Sequence, residues 1–175
     1  ANEDWLMEMR RQNDMAARRA RGVIIEAYED FNAKFGREQE PFIERYMMED
    51  AEIALVGMGT LAMPVKVAVR KMREQGKKVG FVRVRWFRPF PAIELQGARG
   101  GLQAGGVIGR DYSFGSAFHS GTLGTELRSA LYPLEKPPKV ATFIAGLGGR
   151  EVNADNVIEI ADMVFDAAEG KLDVQ

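Results

Sequence analysis

The feature that most constrains the fold is the apolar segment AEIALV at residues 51–56, which ends in the turn GMG at 57–59. A helical pattern follows at once and ends at Gly76. Four apolar residues form one face of this predicted helix: Val65, Ala68, Val69 and Met72. A second strand is predicted over residues 79–86, so the segment is a β-α-β unit, which requires parallel strands covered by a helix.

The rest of the chain repeats this alternation. Further strands are predicted over residues 106–110 and 140–145, with helices near residues 125–132 and from a cap at Asn153 to about residue 168. Residues 42–46 are a candidate edge strand. Alternating strands and helices predict a mostly parallel sheet covered on both faces, which is a three-layer α/β/α sandwich. A chain of 175 residues suits one such unit.

The first 40 residues are predicted to be a helical arm or linker, with the α/β domain occupying residues 41–175. Apolar residues recur at helical spacing over residues 13–35, and Gly36 supplies a stop. Five arginines give this arm a solvated or partner-facing basic surface: Arg10, Arg11, Arg18, Arg19 and Arg21. The chain begins with Ala inside a charged, helix-like run, which suggests a piece of a longer protein. We expect exposed apolar residues such as Trp5, Met7 and Trp86 to be buried by partners.

Composition excludes several classes of function. The 24 basic and 25 acidic residues give a formal net charge of -1, so the chain has no overall attraction for nucleic acid or an anionic membrane. It also has no apolar run long enough to span a bilayer and no basic-then-apolar leader, which predicts a cytoplasmic protein. Cysteine is absent, which rules out a disulfide, a zinc-thiolate site or a cysteine-ligated iron-sulfur cluster within this chain.

Two glycine turns are weak candidates for binding an anion. Gly57 and Gly59 lie between a strand and a helix, and Ala62 is a permitted variant of the third glycine in a dinucleotide fingerprint. No acidic residue follows the second strand to accept a ribose hydroxyl, so a structural turn is the simpler interpretation. Gly148 and Arg150 could likewise hold a phosphate or carboxylate, with a tight turn and an interface arginine as the alternative.

The single histidine, His119, is the only residue that could complete a Ser-His-Asp arrangement. Ser116, Ser120 and Asp111 are its candidate neighbours, but their spacing alone does not predict such a site. No general acid and base pair and no metal site stands out, so no catalytic residue is assigned.

Four segments of the chain, taken in order, resemble the carboxy-terminal, transketolase-like domain of the α-subunit of pyruvate-type 2-oxoacid:ferredoxin oxidoreductases. They are residues 46–59, GFVRVRWFRPFP at 80–91, GRDYSFG at 109–115 with TELRSALY at 125–132, and IAGLGGR at 144–150. The resemblance implies a five-stranded α/β/α sandwich with one antiparallel edge strand, for which residues 42–46 are the candidate.

The resemblance also implies a parent enzyme that converts a 2-oxoacid to an acyl-coenzyme A and reduces ferredoxin. Thiamine diphosphate, Mg²⁺ and the iron-sulfur clusters would be held by other domains or subunits, because this chain has no Gly-Asp-Gly motif with a following asparagine and no cysteine. The chain would then be a supporting and assembly domain. Six residues at strand ends are candidates for contacting other subunits or anionic coenzyme A: Arg85, Arg88, Arg110, Asp111, Ser113 and Arg150. For the charged residues, salt bridges that stabilise the fold are the alternative role. The alternatives are a free-standing nucleotide-binding α/β domain and the carboxy-terminal domain of another thiamine enzyme.

Overall fold

Five strands form one sheet in the order β1-β3-β2-β4-β5 in a computed structural model that describes residues 3–98 and 100–173. The strands are β1 Ile43–Tyr46, β2 Ile53–Met58, β3 Val79–Val84, β4 Ala104–Gly109 and β5 Lys139–Ile144. β1 pairs with β3 in antiparallel orientation, and the other three pairings are parallel. The predicted mostly parallel sheet is therefore confirmed, and β1 is its antiparallel edge strand.

Helices cover both faces of this sheet. They are α1 Glu3–Phe35, α2 Ala62–Glu74, α3 Ala92–Ala98, α4 Thr122–Leu131 and α5 Ala154–Ala168. One apolar core joins α2 and α5 to the sheet, and a second core on the opposite face joins α3, α4 and Ile24 of α1 to it. These two cores confirm the three-layer architecture.

The centre of the sheet is built for close helix packing. A Cβ on Gly106 in β4 would lie 2.5 Å from Val164 Cγ2 of α5 and 3.1 Å from Leu55 Cδ2 of β2. Only glycine leaves room for α5 at this position. Gly106, which weakens the strand signal of β4, is therefore a packing requirement.

Three helix starts differ from the sequence prediction. α1 begins at Glu3, ten residues before the predicted start at about residue 13. A turn of 3-10 helix, Gly59–Leu61, precedes α2, so the helix begins at Ala62 and not directly after the GMG turn. α4 begins at Thr122 instead of near residue 125. For α5, by contrast, Asn153 forms the predicted cap: its side chain accepts hydrogen bonds from the backbone N–H groups of Asp155 and Asn156.

The outer edge of β5 is partly covered by a side chain. Lys139 and Ala145 donate their N–H groups toward the β4 side, to Gln103 and Gly109, so the even-numbered residues of β5 direct their backbone groups outward. The carbonyl oxygen of Val140 accepts a hydrogen bond from Arg128 Nη2 of α4 at 2.8 Å. One outward carbonyl of the edge is therefore already satisfied within the chain.

Only one residue of the 33-residue helix α1, Ile24, is buried. The Arg21 guanidinium lies 4.2 Å from the ring centroid of Phe42 and pairs with Glu94, which holds the second half of the helix against the sheet. Residues 3–16 are all exposed. None of the helices in the described part of the chain is both long and apolar enough to cross a membrane.

Candidate functional site at the carboxyl ends of the strands

The carboxyl ends of the four parallel strands meet along one edge of the sheet. The connections after β2 and β4 run in opposite directions, because β2 leads to β3 on one side and β4 leads to β5 on the other. In open α/β sheets, ligands bind in the crevice outside such a switch point. Gly59, the loop at residues 110–121 and the turn at residues 145–150 follow the carboxyl ends of β2, β4 and β5 and therefore lie at this edge.

The glycine turns at this edge need glycine for conformational reasons. Gly59 has φ +64, Gly146 has φ +79 and Gly148 has φ +64, all in the left-handed region. Gly57, by contrast, is buried within β2, and a Cβ there would lie 3.5 Å from the carbonyl oxygen of Ile108. Of the two glycines in the predicted GMG turn, only Gly59 lies in the loop.

Arg85 is part of an ion-pair network inside the fold. Its Nη2 lies 3.6 Å from Glu44 Oε2 on β1, and its guanidinium lies 6.0 Å from the ring centroid of Tyr28 on α1. Arg83 and Lys66 also pair with Glu44. Burial raises the pKa of Glu44, but the hydrogen bond from Lys66 and the charges of Lys66, Arg85 and Arg83 outweigh it and leave that pKa below its ordinary value.

Arg88 is also engaged within the chain. It pairs with Glu126 of α4 and lies 4.3 Å from the ring centroid of Phe87. Sequence reasoning did not find Glu44 or Glu126, because each carboxylate is distant in sequence from the arginine that it contacts. Nearby Trp86 is exposed, as are Trp5 and Met7 of α1.

Asp111 organises the loop that follows β4. Its Oδ2 accepts a hydrogen bond from the backbone N–H of Thr122 at the start of α4. A Cβ on Gly121 would lie 2.6 Å from the carbonyl oxygen of Asp111, so glycine permits this approach. The N–H of Ser113 donates to the carbonyl oxygen of Ser120 at 3.2 Å. The segment GRDYSFG is therefore folded back on the helix that it precedes.

Arg110 and Arg150 differ from the other arginines at this edge because neither has a carboxylate within 4.0 Å among the described residues. Both are exposed. A Cβ on Gly146 would lie 3.0 Å from Arg110 Nε and 3.2 Å from the carbonyl oxygen of Arg150, so the two residues meet at this turn. Two arginines without a carboxylate partner among the described residues therefore lie at this edge of the sheet, and guanidinium groups are suited to binding an anionic group.

The structure does not assemble a catalytic triad around His119. Its Nδ1 lies 3.5 Å from the hydroxyl of Tyr112, while Ser116 Oγ donates to the carbonyl oxygen of Ser120 and Ser120 Oγ donates to that of Gly121. The carboxylate of Asp111 is engaged by α4. His119 is exposed and lies in a loop with a left-handed backbone, φ 48.

The loop also presents an aromatic tip that sequence reasoning did not single out. Phe114 is 88% exposed, and its ring packs 4.9 Å from that of Tyr112. Over residues 3–98 and 100–173, no group of three or more His, Cys, Asp or Glu side chains is placed to hold a metal ion.

Comparison with known proteins gives the family. Residues 51–157 match the family model for pyruvate:ferredoxin oxidoreductase core domain II. The chain is 40% identical over 167 residues to the ketoisovalerate oxidoreductase subunit VorA of Pyrococcus abyssi, and 34% identical over 154 residues to the pyruvate synthase subunit PorA of Thermotoga maritima. These alignments cover 95% and 88% of the chain but 42% and 38% of the relatives, so the chain spans less than half of their length.

A solved structure supports the fold alone. A split-gene transketolase, described as an inactive beta4 tetramer, superposes with a TM-score of 0.54 at 14% identity, covering 73% of this chain and 42% of that one. The transketolase-like architecture expected from the sequence is therefore present. Together with the match over the sheet and its crevice, these findings show that the chain belongs to the pyruvate:ferredoxin oxidoreductase core domain II family.

Proposed function

We propose that this chain is a supporting and assembly domain of a thiamine-diphosphate-dependent 2-oxoacid:ferredoxin oxidoreductase and is not catalytic alone. The observation that carries the proposal is the similarity to VorA across 95% of the chain, which includes the arm as well as the sheet. The relatives are named for ketoisovalerate and pyruvate, so the proposed substrate of the parent enzyme is a 2-oxoacid.

The cofactors of this proposed enzyme are assigned to its other parts. Thiamine diphosphate bound through Mg²⁺ needs oxygen ligands, and iron-sulfur clusters need thiolates. This chain has no cysteine, and its described residues hold no cluster of metal ligands. Coenzyme A and ferredoxin would meet the complex, with this domain positioning the other subunits.

Within that assembly, we assign Arg110 and Arg150 to contact with an anionic group of a neighbouring subunit or of coenzyme A. Their lack of internal carboxylate partners supports this role, whereas Arg85 and Arg88 already pair with Glu44 and Glu126. Asp111 and Ser113 shape the loop from within. The division into an arm at residues 1–40 and a domain at 41–175 is part of the same proposal.

The test is affinity purification of the tagged chain from its source cells. The expected product contains other subunits, thiamine diphosphate and the visible absorbance of iron-sulfur clusters, and it oxidises a 2-oxoacid with a viologen dye as acceptor. Recovery of the chain alone, without cofactor or activity, would contradict the proposal. A rise in its melting temperature with a nucleotide would then favour the free-standing nucleotide-binding domain.

The role of the two arginines is tested in the same purification. Arg110→Ala with Arg150→Ala should reduce recovered subunits or activity by at least about tenfold while the melting temperature of the chain stays unchanged. Asp111 is left intact because its loss would weaken α4. Arg37→Ala with Arg70→Ala removes two other exposed arginines and serves as the matched control. Equal losses in both pairs would contradict a specific role.

A further inference from the structure

The first half of α1 is exposed and lies outside both apolar cores of the protein. Residues 3–16 are exposed, and at about 1.5 Å per residue they extend roughly 20 Å. An isolated helix of this length is marginal in water, because most helical stability in proteins comes from packing an apolar face. Packing against another surface would therefore stabilise this segment.

The arm carries an apolar stripe of the kind that packs helix on helix. The residues of the stripe are separated by three and four positions in turn, as are the core positions of a coiled coil. They are Leu6, Met9, Asn13, Ala16, Ala20 and Val23. Leu6 is 45%, Met9 51% and Val23 65% exposed. Asn13 is the one polar residue of the stripe, and such an asparagine fixes register in coiled coils. The contacts with the sheet use Arg21, Ile24 and Tyr28, which lie beside the stripe.

Side-chain size and charge along the arm are self-complementary in one orientation only. The large residues Trp5, Leu6 and Met9 come first, and the small residues Ala16 and Ala20 follow. Charge changes in the same direction. Residues 3–8 contain three acidic side chains and no basic one, whereas residues 10–21 contain five arginines and one aspartate.

We propose that two copies of this chain associate through antiparallel pairing of their arms over residues 3–23. This orientation places large residues on alanines and the acidic first turns beside the basic segment, whereas a parallel pair would set acidic turn against acidic turn. Glu8 and Arg19, eleven residues apart, lie on the same flank of the stripe. The two-fold axis brings Glu8 of each copy toward Arg19 of the other, so the contact forms twice.

The test measures the dissociation constant of the 175-residue chain by sedimentation equilibrium. The expected wild-type species is a dimer at micromolar concentration. Arg19→Glu should weaken it about tenfold, and Glu8→Arg in the same chain as Arg19→Glu should restore it, because the two symmetric pairs are then reversed. Arg11→Glu makes the same charge change on the face of the helix opposite the stripe and should leave association unchanged.

Circular dichroism at 222 nm keeps these outcomes interpretable by showing that each variant retains its helix content. Three results would overturn the pairing: a wild-type monomer at tens of micromolar, a dimer unaffected by Arg19→Glu, or equal weakening by Arg11→Glu and Arg19→Glu. A monomer whose arm becomes protected only when another subunit is added would also overturn it. None of these results depends on oxidoreductase activity, so the pairing and the proposed function can fail separately.

Discussion

Asp111, two residues beyond the end of β4, accepts a hydrogen bond from the backbone N–H of Thr122, the first residue of α4. The loop at the strand ends therefore supplies the cap that the helix lacks locally, since Gly121 precedes it and has no side chain. A carboxylate at this position satisfies an otherwise free N–H and interacts favourably with the helix dipole.

Asp111→Ala should lower the free energy of unfolding by about 1 kcal/mol, because it removes this cap. Urea denaturation followed by circular dichroism measures the change. Asp155→Ala is the control, because it removes an exposed carboxylate from the first turn of α5. The Asp155 carboxylate lies 3.2 Å from Lys71 Nζ, and its loss should change the free energy of unfolding by less than about 0.5 kcal/mol. Equal effects of the two substitutions would argue against the capping role of Asp111.

Glu44→Gln should destabilise the chain at neutral pH but not in acid. The folded-state pKa of Glu44 lies below its ordinary value of 4.5, so its contribution is fully present above that value and is lost as the pH falls through the folded-state pKa. Removing its charge leaves Arg83 and Arg85 without their carboxylate, at a cost of roughly 1–2 kcal/mol.

The measurement for Glu44 is urea denaturation of the wild type and variant at a series of pH values. Their difference should shrink as the pH is lowered below 4.5. Glu52→Gln, which breaks an exposed pair with Lys78, is the matched control and should show little difference at neutral pH. The free energies of unfolding of the wild type and Glu44→Gln could instead differ by the same amount down to the lowest pH at which the protein folds. That result would disprove the assigned ion-pair contribution.

Gly106→Ala should destabilise the fold by about 1–3 kcal/mol, because the added methyl group would overlap Val164 of α5. Gly97→Ala is the informative comparison. Gly97 lies in α3 with open space around its Cβ position, so alanine there should be neutral or stabilising by up to about 1 kcal/mol. Chemical denaturation of both variants checks the pair, and a neutral Gly106→Ala would show that α5 can move away from the sheet at little cost.

Gly146→Ala should be more destabilising than Gly148→Ala. Both positions have positive φ, so both substitutions introduce backbone strain of about 1 kcal/mol. Only at Gly146 does the methyl group also crowd Arg110 Nε, at 3.0 Å, and Val152 Cγ2, at 3.1 Å. Thermal and urea unfolding should therefore separate the two variants by about a further 1 kcal/mol. Equal destabilisation would mean that Arg110 moves away freely from this turn.

Much of the sheet could be predicted from sequence because its apolar runs are short and end in turn residues. β5 lies within one residue of its predicted range, β2 is shifted by two residues toward the carboxyl end, and β3 ends at Val84, two residues before its predicted end. The beginning of β4 was missed by two residues because Ala104 and Gly105 have low strand propensity.

The candidate site was less predictable because its contacts join distant parts of the chain. The motif GRDYSFG drew attention to Arg110 and Asp111, yet only the structure separates the helix-capping aspartate from the unpaired arginine. Arg85 and Arg88 were equally prominent in the sequence, but their partners Glu44 and Glu126 belong to other elements. Local spacing carries no information on such pairing.

The hydrogen bond from Arg128 to the carbonyl oxygen of Val140 has a consequence for solubility. A parallel sheet that ends in an apolar edge strand offers its outward N–H and C=O groups to strands of other molecules, which leads to aggregation. β1 and β5 are the two edge strands of this sheet, so the outward groups of β5 form one of its open edges. The Arg128 guanidinium already occupies the carbonyl oxygen of Val140. A strand from another molecule that paired with this carbonyl would have to break that hydrogen bond and remove water from the guanidinium, which costs free energy. Arg128 therefore protects the chain against edge-to-edge aggregation.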